Sequence, residues 1–305
     1  MVLRASSSAV KPKHASKSLT RKVLPVLTLA ILSILLLLYP VVVTQLNNWE
    51  QNHVADSYTR DIHQTDDEQL SKQLAAAQEY NKTRSSGPIL DPWLARISQD
   101  NKEYQAYLAE LNAHEVMARL VVPTADVDLP VYHGTTEDVL QKGVGHLYGS
   151  DLPVGGPGTH SVLTAHTGLV HATLFDQLDD VEEGDPIYIG VSGQKMKYEV
   201  RGIRVVLPEE TNSLRADGDK DLITLITCTP YGINSHRLLV TAERVPLDED
   251  AEDAFSPSKL HWPWWMWAFM SLALVIAAAT ALWIRSMRNK HKAKYRLPSS
   301  FEEEV

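Results

Sequence analysis

The chain of 305 residues holds one cysteine, in the run Thr224-Leu225-Ile226-Thr227-Cys228-Thr229-Pro230. A lone cysteine is ordinarily a small buried hydrophobe. As a thiolate it is instead a nucleophile that can take over an acyl group, provided a base and a donor for the developing charge stand close by. Both residue types are available. Arg237 follows nine residues later, and His166 closes the apolar run Ser161-Val162-Leu163-Thr164-Ala165 ahead of Thr167-Gly168. Asp221 to Cys228, rich in Ile, Leu and Thr, reads as a strand, Thr229-Pro230-Tyr231-Gly232 as a turn, and Arg237 to Arg244 as a second strand. Alternation sets Leu222, Thr224, Ile226 and Cys228 on one face, and Arg237, Leu239 and Thr241 on one face of the next strand. His236, beside Arg237, points to the opposite face. Among twelve histidines His166 stands out by context alone, and a structural role at a strand end stays open for it.

As a string, this stretch resembles the active-site signature of the sortases, membrane-bound cysteine transpeptidases of Gram-positive bacteria: Thr-Leu-x-Thr-Cys, with Arg nine residues on. Thr224, Leu225, Thr227, Cys228 and Arg237 fill every position. At the level of motifs the resemblance runs over roughly residues 85 to 245, and two flanking apolar segments narrow it to the pilus-building class C. It implies Cys228 as nucleophile, His166 as acid and base, and Arg237 as the group that holds the oxyanion or the substrate backbone.

Ile89-Leu90-Asp91-Pro92-Trp93 follows the breaker Ser85-Ser86-Gly87-Pro88. On spacing, Asp91 is an N-cap and Pro92 the first residue of a helix over Leu94 to Leu111. The resemblance implies a second use, because class C sortases carry an Asp-Pro-aromatic motif in a lid, with the Asp reaching the arginine and the ring lying near the cysteine. Both readings of Asp91 and Trp93 can hold together.

The elements that must position these residues are legible from composition. Residues 1–22 hold six basic residues and no acid, and residues 285–305 hold six more against three glutamates. Between these tails lie 17 basic and 35 acidic residues, so the net charge of −9 conceals a strongly acidic middle and argues against nucleic acid as a partner. Residues 23–43 are apolar and uncharged, long enough for a span of roughly twenty residues. No small-x-small cleavage site follows, which favours an uncleaved anchor over a signal peptide. Residues 260–284 form a second uncharged run, opened by Trp262, Trp264, Trp265 and Trp267 and closed by Trp283, like interfacial belts. The positive-inside rule then puts both termini (1–22 and 285–305) in the cytoplasm and the middle outside the cell.

Residues 44–84 read as one or two solvated helices serving as a spacer, and 85–116 as the lid and its following helix. From 117 to 246 short apolar runs are separated by turn residues: Ala118–Val122, Val127–Tyr132, His146–Gly149, His160–Ala165, Pro186–Val191, Met196–Val206 and the two strands above. About eight strands at this spacing argue for a closed barrel or sandwich, and Ala172 to Leu178 for a short helix between strands. The sortase fold is an eight-stranded β-barrel, so the expected class is mainly β, with N-terminal helices, a lid and two flanking transmembrane helices. Residues 247–259 are a linker.

No Cys-x-x-Cys, His-Glu-x-x-His, phosphate loop or EF-hand occurs, so neither metal nor cofactor is expected. The resemblance implies cleavage of the Thr-Gly bond in a Leu-Pro-x-Thr-Gly-like sorting signal and transfer of the acyl group to a lysine amine of a pilin subunit, with a housekeeping sortase as a further partner left open. Two rivals remain at this level: a housekeeping sortase that anchors proteins to the wall, and a tethered binding domain, which gives no reason for Cys228, His166 and Arg237.

Overall fold

The computed structural model of the protein describes residues 13–84, 91–93, 98, 100–248, 250–256, 260 and 262–294. The chain divides into a unit of residues 43–261 and a second of its two ends. In the larger unit eight strands, β1 (Ala118–Val122), β2 (Val127–His133), β3 (Val144–His146), β4 (Thr159–Thr164), β5 (Pro186–Val191), β6 (Gln194–Val206), β7 (Asp221–Thr229) and β8 (His236–Val245), close a barrel in the order β1-β2-β3-β4-β7-β8-β6-β5. β2 with β3 and β4 with β7 run parallel, and the other pairs are antiparallel. Period-two alternation drives the closure. Leu120, Val131, Leu163, Ile187, Ile189, Ile223, Leu225 and Val240 fill one buried core, while Val162, Ile226 and Leu239, from the other face of their strands, join Leu147 and Leu214 in a smaller cluster outside it.

Three local expectations are corrected. The third strand lies at Val144–His146 rather than 146–149, because Gly145 is pressed against the chain: a Cβ there would come within 2.4 Å of the Gly134 carbonyl oxygen. Ala172 to Leu178 is not a helix. Leu174 takes a positive φ of 44°, and only Leu178–Asp180 forms a 3-10 turn. The helix expected over 94–111 is α3, Lys102–Ala109, capped by Asn101, whose side chain accepts from the amides of Glu103 and Tyr104. Residues 94–97 and 99 lie outside the described residues, as do the breaker at 85–88, Ile89-Leu90 and most of both basic tails.

The solvated spacer is corrected as well. α1 (Lys13–Gln64) continues through residues 44–64 and, with α2 (Asp67–Thr83), packs on the barrel through the buried Ala55, Tyr58, Leu70 and Ala77. Tyr58 donates to the Met117 carbonyl (3.0 Å) and accepts from the Ser192 amide (3.1 Å). Arg119, 1% exposed, ties α1 to the barrel: its guanidinium forks onto Asp128 (2.6 and 2.5 Å), pairs with Asp56 (2.8 Å) and donates to the Thr59 hydroxyl (2.9 Å). The same guanidinium donates to the Phe255 carbonyl (3.3 Å) just after α5 (Asp250–Ala254), a short helix within the expected linker. Polar residues masked this docking in the sequence, because the stripe that contacts the barrel is narrow and half made of alanine and tyrosine.

Behind the site, His146 is fully buried between the Asp151 carbonyl, to which Nε2 donates (2.8 Å), and the Tyr107 hydroxyl at Nδ1 (3.0 Å). Burial pushes its pKa down to about 4. A lowered folded value means that the unfolded chain binds the extra proton first, so this contribution to stability is present above about pH 6.5 and is lost as pH falls toward 4. The expected loss, converted at about 1.4 kcal/mol per unit, is on the order of 3 kcal/mol. Denaturant unfolding of wild type and His146→Gln between pH 4 and 7 should show the steeper fall in wild type; parallel curves would remove His146 as the cause.

At the ends of the chain, two helices are long and apolar enough to cross a membrane, within Thr20–Gln64 of α1 and Trp264–Ala293 of α6 (Trp264–Lys294).

Candidate active site

β7 and β8 are paired in a register that sets Cys228 directly opposite Arg237, Ile226 opposite Leu239 and Thr224 opposite Thr241. On its other edge β7 pairs in parallel with β4, Thr164 beside Ile226 and Val162 beside Thr224. The Ala165 amide carries the pairing on, donating to the Ile226 carbonyl (3.3 Å). Carried two residues past the end of β4 at Thr164, this register brings His166 level with Cys228, so the three sequence candidates come together at one end of three neighbouring strands. Thr227 locks this row from the inner face: its hydroxyl donates to the Ala165 carbonyl (2.8 Å) and lies 2.7 Å from the Thr167 hydroxyl. That explains the threonine beside the cysteine, since a residue pointing into the barrel can bond the strand that carries the histidine.

The other two candidates meet the row from above. The Asp91 carboxylate takes both arms of the Arg237 fork, at 2.7 Å from Nε and 3.2 Å from the terminal nitrogen, and both side chains are buried. The second arm's partner oxygen also accepts from the Trp93 amide (3.1 Å), which closes a turn over Pro92. Arg237 is further fixed by donating to the Asn234 and His236 carbonyls (3.3 and 3.2 Å). The Trp93 ring lies 4.6 Å from the Arg237 guanidinium carbon, packs on the Leu147, Val162, Leu214, Ile226 and Leu239 cluster, and points its indole N–H at His166 Nδ1 (3.4 Å). The ring's polar partners are thus the arginine and the histidine. The Thr135 hydroxyl holds the Pro92 carbonyl (2.9 Å).

Glu137, in the short helix α4 (Glu137–Leu140), approaches His166 Nε2 at 3.3 Å. Its pKa is held down by Gln141 and by His166. Sequence reasoning missed Glu137, and no local pattern around it signals a partner 29 residues away. His236 turns outward to the Ser235 hydroxyl (2.9 Å), away from the row.

The thiol of Cys228 is 7% exposed. Burial pushes its pKa above the ordinary thiol value, the Arg237 charge pulls it back, and the Asp91 carboxylate pushes it up again. Of the two influences that keep the thiol protonated, burial and the Asp91 carboxylate, the second would go if Asp91 moved away.

A sortase-domain family model matches residues 120–245, which hold all three members of the row. Sortase C-1 from Actinomyces oris is 58% identical, aligned over 59% of this chain and 99% of that one, with a TM-score of 0.58. The chain belongs to the sortase family. Sortase A from Corynebacterium diphtheriae is 52% identical over 69% of this sortase and 100% of that structure, with a TM-score of 0.60. Streptococcus pneumoniae Sortase C is 40% identical over 64% and 97% of the two chains, with a TM-score of 0.58. With sortases C among these relatives, the protein is a class C sortase, and sortases are cysteine transpeptidases.

Proposed function

We propose that this sortase polymerises pilin subunits, with Cys228, His166 and Arg237 as its catalytic residues and Asp91 and Trp93 as a lid over them. The single observation that supports this most is the row itself, which sets a thiol, an imidazole and a guanidinium at one end of adjacent strands, with Asp91 bonded to the guanidinium. As the lid leaves, the Cys228 thiol passes its proton to His166. The thiolate attacks the Thr carbonyl of a Leu-Pro-x-Thr-Gly-like signal, and Arg237 faces the oxyanion that develops. His166 returns the proton to the departing glycine amine, which leaves a thioacyl enzyme. A lysine amine of the next subunit then attacks the thioester, gives a proton to His166 and releases Cys228 with an isopeptide bond formed.

The same reading sets the barrel outside the cell, with α1 and α6 as spans and both termini in the cytoplasm, supported by the basic residues at 1–22 and 285–296 against the acidic middle. Protease added to intact cells should spare a C-terminal tag; its removal would exclude two spans.

The test of the activity uses the full chain in detergent micelles with a sorting-signal peptide and a pilin. Mass spectrometry should find the peptide's acyl portion on Cys228 and, after the pilin is added, an isopeptide-linked product. Cys228→Ala should yield neither. Hydrolysis alone, with no lysine adduct under any acceptor, would leave a thiol peptidase and remove the polymerising role.

A further inference from the structure

Farther along the strand face that carries Cys228 lies a cavity of about 530 Å³ between the start of β7, β6 and the 212–220 segment. Arg201, Arg204, Arg215 and Lys220 line it against only Asp217 and Glu243, in a middle region whose net charge is otherwise strongly negative. Lys220 is paired with Asp217 and Arg201 with Glu199, whereas Arg204 and Arg215 are exposed and have no ion pair among the described residues. Four unlike residues link the cavity to the site: His160, Leu222, Thr241 and Glu243 belong to the same outer faces of β4, β7 and β8 as His166, Cys228 and Arg237.

We propose that this cavity receives an acidic stretch of the donor polypeptide upstream of its sorting signal. The inference rests on the proposed reading that the sorting signal lies along the outer face of β7 beside Cys228, and direction follows from chemistry. The Leu and Pro of the signal precede the scissile carbonyl, and the buried apolar cluster beside Cys228 on which Trp93 packs, Ile226, Leu239, Val162 and Leu214, lies on the cavity side. From Cys228 to Leu222 is roughly 20 Å along an extended strand at about 3.3 Å per residue. A substrate strand with its Thr at Cys228 places Leu about 10 Å away, close to the level of Arg204, which pairs with Leu239 opposite Ile226, and the residues upstream of Leu run on toward Arg215, whose carbonyl bonds His160 beside Leu222. Two exposed charge pairs together are expected to give a preference of roughly fivefold to tenfold, which is about 1 to 1.4 kcal/mol in total.

The full chain in micelles should be assayed with three donors: the five-residue signal alone, and the signal extended upstream by six residues containing either Asp and Glu or only Gly and Ser. The acidic extension should raise kcat/KM about fivefold over the neutral one at low salt, and the advantage should vanish in Arg204→Glu/Arg215→Glu while turnover of the short signal stays as in wild type. In that variant a lysine-rich extension should become the preferred donor. Equal kcat/KM for acidic and neutral extensions overturns the subsite, whereas failure to cleave any of the three would overturn the activity beneath it.

A separate observation concerns the loop that follows His166. α1 grips it with three side chains: Thr44 donates to the Val170 carbonyl (3.1 Å), Asn47 to the His171 carbonyl (2.7 Å), and Asn48 both donates to the Thr173 hydroxyl (2.8 Å) and accepts from the Thr173 amide (3.1 Å). Two residues on, the Phe175 amide donates to the His166 carbonyl (3.1 Å), so the grip is passed to the histidine itself. Thr44 and Asn48 are buried, where these bonds do not compete with water. The geometry points to Asn47 and Asn48 as positioning residues for His166. Asn48→Ala should lower kcat roughly tenfold with KM little changed, since small misplacements of a catalytic group are costly. It should also shift the limb of the pH-rate profile that disappears in His166→Ala. Asn48→Asp, which keeps the acceptor, should retain more activity than Asn48→Ala. A lowered melting temperature with wild-type kcat and pH profile would reduce the contact to a structural one.

Discussion

Arg237→Ala should cost at least about 10² in kcat, the range found when a donor to a developing oxyanion is removed. Arg237→Lys should recover little of that loss. The Asn234 and His236 carbonyls hold one terminal nitrogen of the guanidinium, and Nε with the other terminal nitrogen forms the fork that Asp91 occupies here and that turns to substrate once Asp91 leaves. An ammonium offers a point charge without the fork and cannot keep all of these partners at once. The arginine also draws the thiol pKa down against burial, so Arg237→Ala should move the pH profile of Cys228 alkylation upward. Cys228→Ala and His166→Ala should each remove nearly all turnover, and the double variant should be little worse than either, because the pair acts as a unit. Steady-state hydrolysis and transpeptidation of one sorting-signal peptide by wild type and the five variants decide the matter. Near-wild-type rates in Arg237→Lys would exclude a role that depends on the fork.

That Cys228 and Arg237 would meet on neighbouring strands was legible because strands make local promises, whereas His166 was singled out by the resemblance to the sortases and not by alternation. A period of two fixes which side chains share a face, and a tight turn after Thr229 fixes which strand comes next. What alternation could not supply was the partner of β7's other edge. That β4 runs parallel to β7, bringing Ala165 and His166 alongside Thr227 and Cys228, depends on a crossover of more than fifty residues and has no local signature. The same limit hid Glu137, the Arg119 knot and the Asn48 grip, all of them polar contacts between segments distant in sequence. Polarity misled most over residues 44–84. A helix rich in Gln, Asn and Glu resembles one bathed in water, yet its asparagines and Asp56 are spent on backbone groups and on a buried arginine of the barrel. The eight-strand count was secure despite the misplaced third strand, because turn residues punctuated the runs even where a glycine moved the boundary.

Asp91→Ala and Trp93→Ala should both make Cys228 react faster with a small alkylating agent and should raise hydrolysis of a short sorting-signal peptide. Two roles compete for Asp91, and the structure gives both to one carboxylate: the oxygen that accepts from the Trp93 amide also faces Arg237. Helix α3 begins only at Lys102 under its own cap, Asn101, so loss of Asp91 does not uncap it. If the turn were the whole role, Asp91→Ala would cost about 0.5 to 2 kcal/mol of stability and leave the thiol alone. As a cover, the segment reduces apparent substrate affinity by the fraction of enzyme in which it stays shut, and releasing it restores that fraction. The thiol pKa should fall as well in Asp91→Ala, since the Asp91 carboxylate contributes negative charge that holds the proton on sulfur. Asp91→Asn separates the roles, because an amide oxygen can still accept from the Trp93 N–H while the charge on Arg237 is gone. Labelling rates measured from pH 6 to 9 should therefore rank Asp91→Asn with Asp91→Ala, both above wild type and with their midpoints moved down. Equal rates and midpoints in all four proteins, with only a lowered melting temperature in Asp91→Ala, would leave Asp91 a turn residue and remove the lid.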